Sequence, residues 1–198
     1  MQTIALVGHG TWFDCGTLLK SYDVVIALDG GYQFCQKLEI APTITLGDGD
    51  SITDKPTNFI LSTDQTTTDL QKGLVYIQEH YNNYVIDLFG FVSIDRLDHT
   101  LSAIQLLVEN NHIRQLYSPY QIIQKIQQSI TLSLLTEFSL VPMTPSACVT
   151  IAGATWSGTF TLDSTHSGLS NQVTNNQTTI TVQQGTVLCI TPTLWTKP

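Results

Sequence analysis

Charge is scarce in this chain. Only 12% of its 198 residues are Asp, Glu, Lys or Arg, and Thr, Gln and Asn fill the polar positions instead. What charge there is leans one way, to a formal −8 at pH 7, which argues against a duplex nucleic-acid partner, because that needs clustered Lys and Arg. Cysteine is sparse too. Cys15, Cys35, Cys148 and Cys189 show no Cys-x-x-Cys and no metal-ligand spacing, so they read as reduced, mostly buried thiols. No apolar run approaches the roughly 20 residues of a membrane span, and the N-terminus lacks the basic region and long apolar segment of a signal peptide. The expectation is a soluble, cytoplasmic protein with no nucleic-acid and no membrane partner. A hydrophobic content of 42% is ordinary, and the length suffices for one large or two small domains with a good core.

The first half alternates short apolar runs with helical patterns. Thr3–Val7, Asp23–Leu28, Ile44–Leu46 and Tyr84–Phe89 read as strands. Residues 32–38 read as a short helix. Asp69–His80 reads as a helix with Leu70, Gly73, Leu74 and Ile77 on one face, and Leu97–Val108 as another with Leu97, Leu101, Ile104 and Val108 at helical spacing. Alternating β and α elements predict an α/β domain over residues 1–112, its sheet mostly parallel and Rossmann-like. From residue 113 to 198 helical periodicity fades. Short Thr-, Val- and Ile-rich runs replace it at Thr131–Leu135, Ala147–Ile151, Thr159–Leu162, Thr178–Val182 and Thr186–Ile190, punctuated by Gly, Asn, Ser and Pro. These predict an all-β C-terminal sandwich. Residues 119–130 fit a strand pair or a helix equally well.

The chemistry concentrates in the first half. Leu46-Gly47-Asp48-Gly49-Asp50-Ser51-Ile52 places two carboxylates beside glycines at the carboxyl end of a predicted buried strand, the end at which open α/β sheets bind ligands. Converging acids suit Mg²⁺, which prefers carboxylate, water and phosphate oxygens. A calcium loop of EF-hand type fails, because Thr53 and Phe59 stand where it needs Gly and Glu. Thr68-Asp69-Leu70-Gln71-Lys72 and Arg96-Leu97-Asp98-His99 follow, each at a predicted helix start, where caps and anions are both favoured. Lys72, one turn into its helix, is within reach of a phosphate. His9 ends the first strand near this same edge. An acidic protein can still bind ATP if Mg²⁺ and a few basic groups meet the phosphates locally.

The order and spacing of these segments resemble the thiamine pyrophosphokinase family. That family shows Asp-Gly-Gly, Gly-Asp-x-Asp-Ser-Ile, Thr-Asp-x-x-Lys and Arg-x-Asp-His/Gln. Here they read Asp29-Gly30-Gly31, Gly47–Ile52, Thr68–Lys72 and Arg96–His99. In the second half Gly153-Ala154-Thr155-Trp156 resembles a Gly-Leu-Lys-Trp segment, and Ser170-Asn171 the end of a Ser-x-Ser-Asn segment. Two departures stand out. Ile94-Asp95 replaces the Gly-Gly or Ala-Gly that relatives carry before the arginine, and Gly49 replaces an aromatic or bulky residue between the two acids.

The resemblance implies a diphosphokinase that transfers a diphosphoryl group from ATP to the thiamine hydroxyl, releasing AMP. It implies Mg²⁺ held by Asp48, Asp50 and Asp69, and ATP met by Asp29, Gly30, Gly31, Lys72 and Arg96. Thiamine would be met by Gln65, Asp98, Trp156, Ser170 and Asn171, with Asp98 orienting the hydroxyl or aminopyrimidine. It also implies a homodimer in which the β-domain of one copy serves the site of the other. Two alternatives belong beside it: a diphosphokinase acting on a pterin alcohol, and a non-catalytic thiamine- or nucleotide-binding regulator.

Overall fold

A computed structural model describes residues 1–52, 54–133, 137–174 and 176–193. It divides into two units, the first Met1–Pro119 and the second beginning at Tyr120. In the first, strands β1 (Gln2–Val7), β2 (Val24–Leu28), β3 (Ile44–Gly47), β4 (Phe59–Leu61), β5 (Tyr84–Phe89) and β6 (Ile113–Tyr117) form a parallel sheet. Their spatial order is β6-β5-β1-β2-β3-β4. The chain winds outward from β1 to β4, then returns to the far side of β1 as β5. The order therefore reverses between β1 and β5, and it is at the carboxyl ends beside such a reversal that open α/β sheets bind ligands. The boundary expected after residue 112 falls after Pro119 instead, because β6 completes the parallel sheet beside β5.

The strands are almost wholly buried, and this explains their continuous Val, Ile and Leu runs. Helices α1 (Gly16–Leu19), α2 (Gly31–Lys37), α3 (Asp69–His80) and α4 (Leu97–Glu109) connect them. α3 starts at a reciprocal capping box in which Thr68 bonds the Gln71 backbone and the Gln71 side chain bonds back to Thr68. Its expected face is the buried one, with Leu70, Gly73 and Ile77 inward. α4 is turned differently from the expectation. Leu97 and Leu101 are 61% and 57% exposed, and Thr100, Ala103 and Leu107 are buried. The Thr100 hydroxyl accepts from the Ser93 backbone and donates to its carbonyl (3.0 and 3.1 Å), which fixes the helix's rotation. α1 and β4 are too short to show periodicity, and the sequence reading lacks both.

One polar cluster sits inside this unit. Asp87, fully buried on β5, accepts from Arg114 Nε (3.0 Å) and also bonds Arg114 Nη2 and the Tyr22 hydroxyl. Burial, then the Asp87 charge, pushes the Tyr22 hydroxyl far above its ordinary pKa. Among the residues described, this network satisfies a carboxylate that would otherwise be strongly disfavoured there.

The second unit holds two four-stranded antiparallel sheets. One contains β7 (Gln121–Ile126), β14 (Val187–Pro192), β9 (Glu137–Pro142) and β12 (Gly168–Gln172). The other contains β11 (Gly158–Leu162), β10 (Ala147–Ala152), β13 (Gln177–Gln184) and β8 (Ser129–Ser133). Both sheets send residues to a single core, with Ile126, Phe138, Leu140 and Val187 from the first and Leu132, Val149, Ile151 and Ile180 from the second. The ambiguous stretch 119–130 is strand, and β7 and β8 belong to different sheets. The strand expected at Thr131–Leu135 is β8, whose last two expected residues lie outside the described ones.

Glycine matters most where α2 begins. A Cβ on Gly31 would overlap the Val7 backbone carbonyl, whereas one on Gly73 would lie 2.9 Å from the movable Leu28 Cδ2. Gly31→Ala should therefore cost about 2–3 kcal/mol in urea unfolding through overpacking. Gly73→Ala should cost less, since Leu28 can yield and Ala gains up to about 1 kcal/mol of helix propensity. Equal losses for the two variants would contradict this packing argument.

Candidate active site

Four strand ends in the first unit carry the acids and glycines. β1 runs into Gly8-His9-Gly10 and β5 into Gly90. The two turns lie against each other, with the Gly10 N–H donating to the Gly90 carbonyl (2.6 Å). β2 runs into Asp29. Its N–H donates to Leu46 of β3 (2.8 Å), so parallel pairing carries Asp29 beside the Gly47–Asp50 loop. Asp29 takes the left-handed conformation, φ 44°, which Asp tolerates better than most residues. Its side chain crosses Gly47, where a Cβ would lie 2.9 Å from both Asp29 Cβ and Oδ1. The His9 ring packs over Gly30 in the same way.

Carboxylate oxygens of Asp29, Asp48 and Asp50 all lie within 4.8 Å of one another. Asp29 is buried, and its Oδ1 has no hydrogen-bond partner. A buried carboxylate with an unpartnered oxygen, set beside two more carboxylates, is strongly disfavoured without a cation. Oxygens on opposite sides of one Mg²⁺ stand about 4.2 Å apart, twice the roughly 2.1 Å Mg–O distance, so the group fits such an ion with little movement. The surrounding loop is held from outside. Gln33 of α2 donates to the Ser51 carbonyl (2.8 Å), Ser51 Oγ to Asp50 (2.9 Å), and the Asp50 N–H to Asp48 (3.2 Å).

Gln65, expected against thiamine, donates to Asp48 Oδ2 (3.0 Å). That bond, followed by the Asp50 N–H, lowers the Asp48 pKa. Gln65 is presented by a turn in which Asp64 accepts from the hydroxyls of Thr66 and Thr67 and the Thr66 N–H. Those hydroxyls lead the causes that hold Asp64 down at about 2. Asp69 stands outside the acidic group. It pairs with Lys72 (3.1 Å), whose side chain is only 8% exposed. Thus the structure joins Asp48 and Asp50 to Asp29, the residue expected to meet ATP, rather than to Asp69. The sequence separation of Asp29 from Asp48 hid this grouping, and only the β2–β3 pairing reveals it.

Arg96 forks onto Asp98, Nε to Oδ1 at 3.1 Å and Nη2 to Oδ2 at 3.0 Å, and Arg96 also contacts His99. Both partners are exposed, so the pair contributes little to stability. In the second unit, Trp156 is 56% exposed. Asn171 is buried, and its amide clamps the Trp156 backbone, accepting from the N–H (3.1 Å) and donating to the carbonyl (3.0 Å). Its amide is thereby committed to holding Trp156 rather than turned outward as a ligand contact. Ser170 is exposed, in a left-handed conformation at φ 56°.

The thiamin pyrophosphokinase catalytic domain matches residues 15–117, more than half of the chain. The chain belongs to the thiamin pyrophosphokinase family. No curated protein matches it. Among solved structures it is similar to the thiamine pyrophosphokinase of Bacillus subtilis, with TM-score 0.83 and 22% identity over 97% of this chain and 99% of that one. The thiamin pyrophosphokinase of Candida albicans has TM-score 0.83 and 13% identity over 96% and 88%. A probable thiamine pyrophosphokinase of Staphylococcus saprophyticus has TM-score 0.67 and 25% identity over 97% and 98%. Family membership makes the chain a thiamine diphosphokinase and supports neither the pterin-alcohol nor the non-catalytic alternative. Among the described residues, no helix is long and apolar enough to cross a membrane.

The Arg96 fork, first among the causes, holds Asp98 at about 2, below its ordinary 3.8. A depressed carboxylate pKa contributes stability that is present above the ordinary value and lost as pH falls toward about 2. Asp98 is therefore ionised throughout the neutral range. Asp98→Asn should lower kcat/KM by the same factor at about pH 5.5 and about pH 8.5. An acid limb between those values that vanishes in the variant would contradict the assignment.

Proposed function

We propose that Asp29, Asp48 and Asp50 hold the Mg²⁺ that positions ATP for diphosphoryl transfer to thiamine. The observation that carries this reading is the buried Asp29 carboxylate, one oxygen of which has no partner, set within 4.8 Å of the Asp48 and Asp50 carboxylates. The thiamine hydroxyl oxygen bonds to the β-phosphorus and gives up its proton to solvent, the bond from that phosphorus to the α,β-bridging oxygen breaks, and AMP leaves with that oxygen. When bound, Mg²⁺ supplies charge neutralisation and alignment, which dominate phosphoryl-type transfer. The chain's own groups do the rest. Gln65 and the Asp50 N–H fix the Asp48 carboxylate. Gly30 and Gly31 make room for the His9 ring and the Val7 carbonyl, and so hold the Asp29 turn at the start of α2 toward ATP. Lys72, held by Asp69, and Arg96, held by Asp98, place positive charge where the phosphates lie. Asp98 orients the thiamine hydroxyl or aminopyrimidine. At a pKa of about 2 it is too weak a base to be the principal proton acceptor.

The parallel layer of the first unit is read as Rossmann-like and the two antiparallel sheets of the second as a sandwich. The working form is a homodimer in which one copy's second unit lends Trp156 and Ser170, with Asn171 as the residue that positions Trp156, to the other copy's site. Four free cysteines fit a reducing cytoplasm.

Asp50→Asn and Asp29→Asn should each lower turnover at limiting Mg²⁺ by about a hundredfold or more, while far-UV circular dichroism stays unchanged. Near-parental turnover in Asp29→Asn would remove it from the metal site. Mixing Asp50→Asn subunits with Trp156→Ala/Ser170→Ala subunits should restore part of the activity if sites are shared. Subunit exchange without recovery would place each complete site within one chain.

A further inference from the structure

The loop joining Asp48 to Asp50 is covered by a side chain from outside it. Gly49 takes φ +76°, and a Cβ there would lie 2.5 Å from both Cε and Nζ of Lys55 and 3.0 Å from Phe59 Cζ. The Lys55 ammonium stands 5.0 Å from the centroid of the Phe59 ring, the first residue of β4. Gly49 thus leaves room for a cation, and an aromatic face holds that cation over the glycine. Three cations follow the carboxyl ends of β3, β4 and β5. Lys72 is paired with Asp69 and Arg96 with Asp98. Among the described residues, no carboxylate lies within 4.0 Å of Lys55 Nζ, although acids flank Gly49 on both sides. Its charge is thus uncommitted and close to the proposed metal.

We propose that Lys55 is a substrate-binding residue, its ammonium donating to a phosphate oxygen of the metal-bound triphosphate. The proposal rests on the reading of this site as the ATP–Mg²⁺ site. An ammonium is a compact point charge that suits a non-bridging phosphate oxygen. Gly49 is then required for more than its backbone angle, because any larger residue would evict the cation.

The test is calorimetric binding of a non-hydrolysable ATP analogue to the full-length protein in Mg²⁺, with steady-state kinetics beside it. Lys55→Met keeps the stem on Phe59 and removes the charge. It should weaken analogue binding about tenfold or more, raise KM for ATP in step, and leave KM for thiamine within about twofold. Binding should also become less sensitive to salt than in the parent, because one screened charge pair is lost. Lys55→Arg should recover most of the affinity, and Phe59→Leu should fall between. Asp50→Asn is the reference. If the parent protein binds the analogue, Asp50→Asn does not, and Lys55→Met binds within about twofold of the parent, the Lys55 assignment alone is overturned. If Asp50→Asn binds as well as the parent, or the parent does not bind, the ATP–Mg²⁺ reading fails and Lys55 falls with it.

Discussion

The Val7 carbonyl at the end of β1 lies so close to the start of α2 that no side chain can stand at residue 31. The acidic site depends on that contact. It draws the Asp29-Gly30-Gly31 turn tight against the sheet, and the turn in turn directs Asp29 across Gly47 toward Asp48 and Asp50. Gly30 yields to His9 and Gly47 to Asp29 in the same way. The site is a set of backbones brought close enough for side chains to meet over them.

Such an arrangement is electrostatically unfavourable by itself. Three carboxylates within 4.8 Å repel one another, and one of them is buried with an unpartnered oxygen. The fold holds them there through bonds that do not neutralise them: Gln33 to the Ser51 carbonyl, Ser51 to Asp50, and Gln65 to Asp48. A cation at this point relieves the repulsion and so links metal binding to the order of the loop. The basic groups nearby are arranged to complement rather than collapse the cluster. Lys72 and Arg96 each have their own carboxylate, and Lys55 rests on an aromatic ring.

Charge is divided sharply along the chain. Beyond Pro119 only Lys125, Glu137, Asp163 and Lys197 are charged, so almost all the acidity belongs to the first unit, which carries the acidic cluster. The second unit is stabilised instead by a single apolar core between two sheets and by hydroxyl and amide pairs such as Thr150 with Thr159 (2.9 Å) and Gln183 with Thr150 (3.0 Å). An exposed Trp156 fixed by Asn171 is a rigid apolar surface of the kind that binding sites use.

The amino-acid sequence by itself determined the alternation of strands and helices in the first half and the identity of the acidic loops. Asp48 and Asp50 share one glycine loop, Thr68 and Gln71 cap one helix, and Arg96 reaches Asp98 two residues away. Each is a local relation, and local relations are written in spacing. The rotation of α4 was not legible, because Leu97/Leu101/Ile104/Val108 and Thr100/Ala103/Leu107 are both helical stripes, and a bond from Thr100 to Ser93 selects the second. Nor was the strand character of 119–130, which β14 and β13 decide by pairing with β7 and β8. Asn171 read as a ligand contact until burial showed its amide committed to Trp156. Tertiary structure alone decided that Asp29 joins Asp48 and Asp50 while Asp69 turns to Lys72, and that Lys55 lies over Gly49. The reason is that these neighbours are created by parallel strand pairing and by the space glycine leaves, and both act between residues that the chain keeps apart.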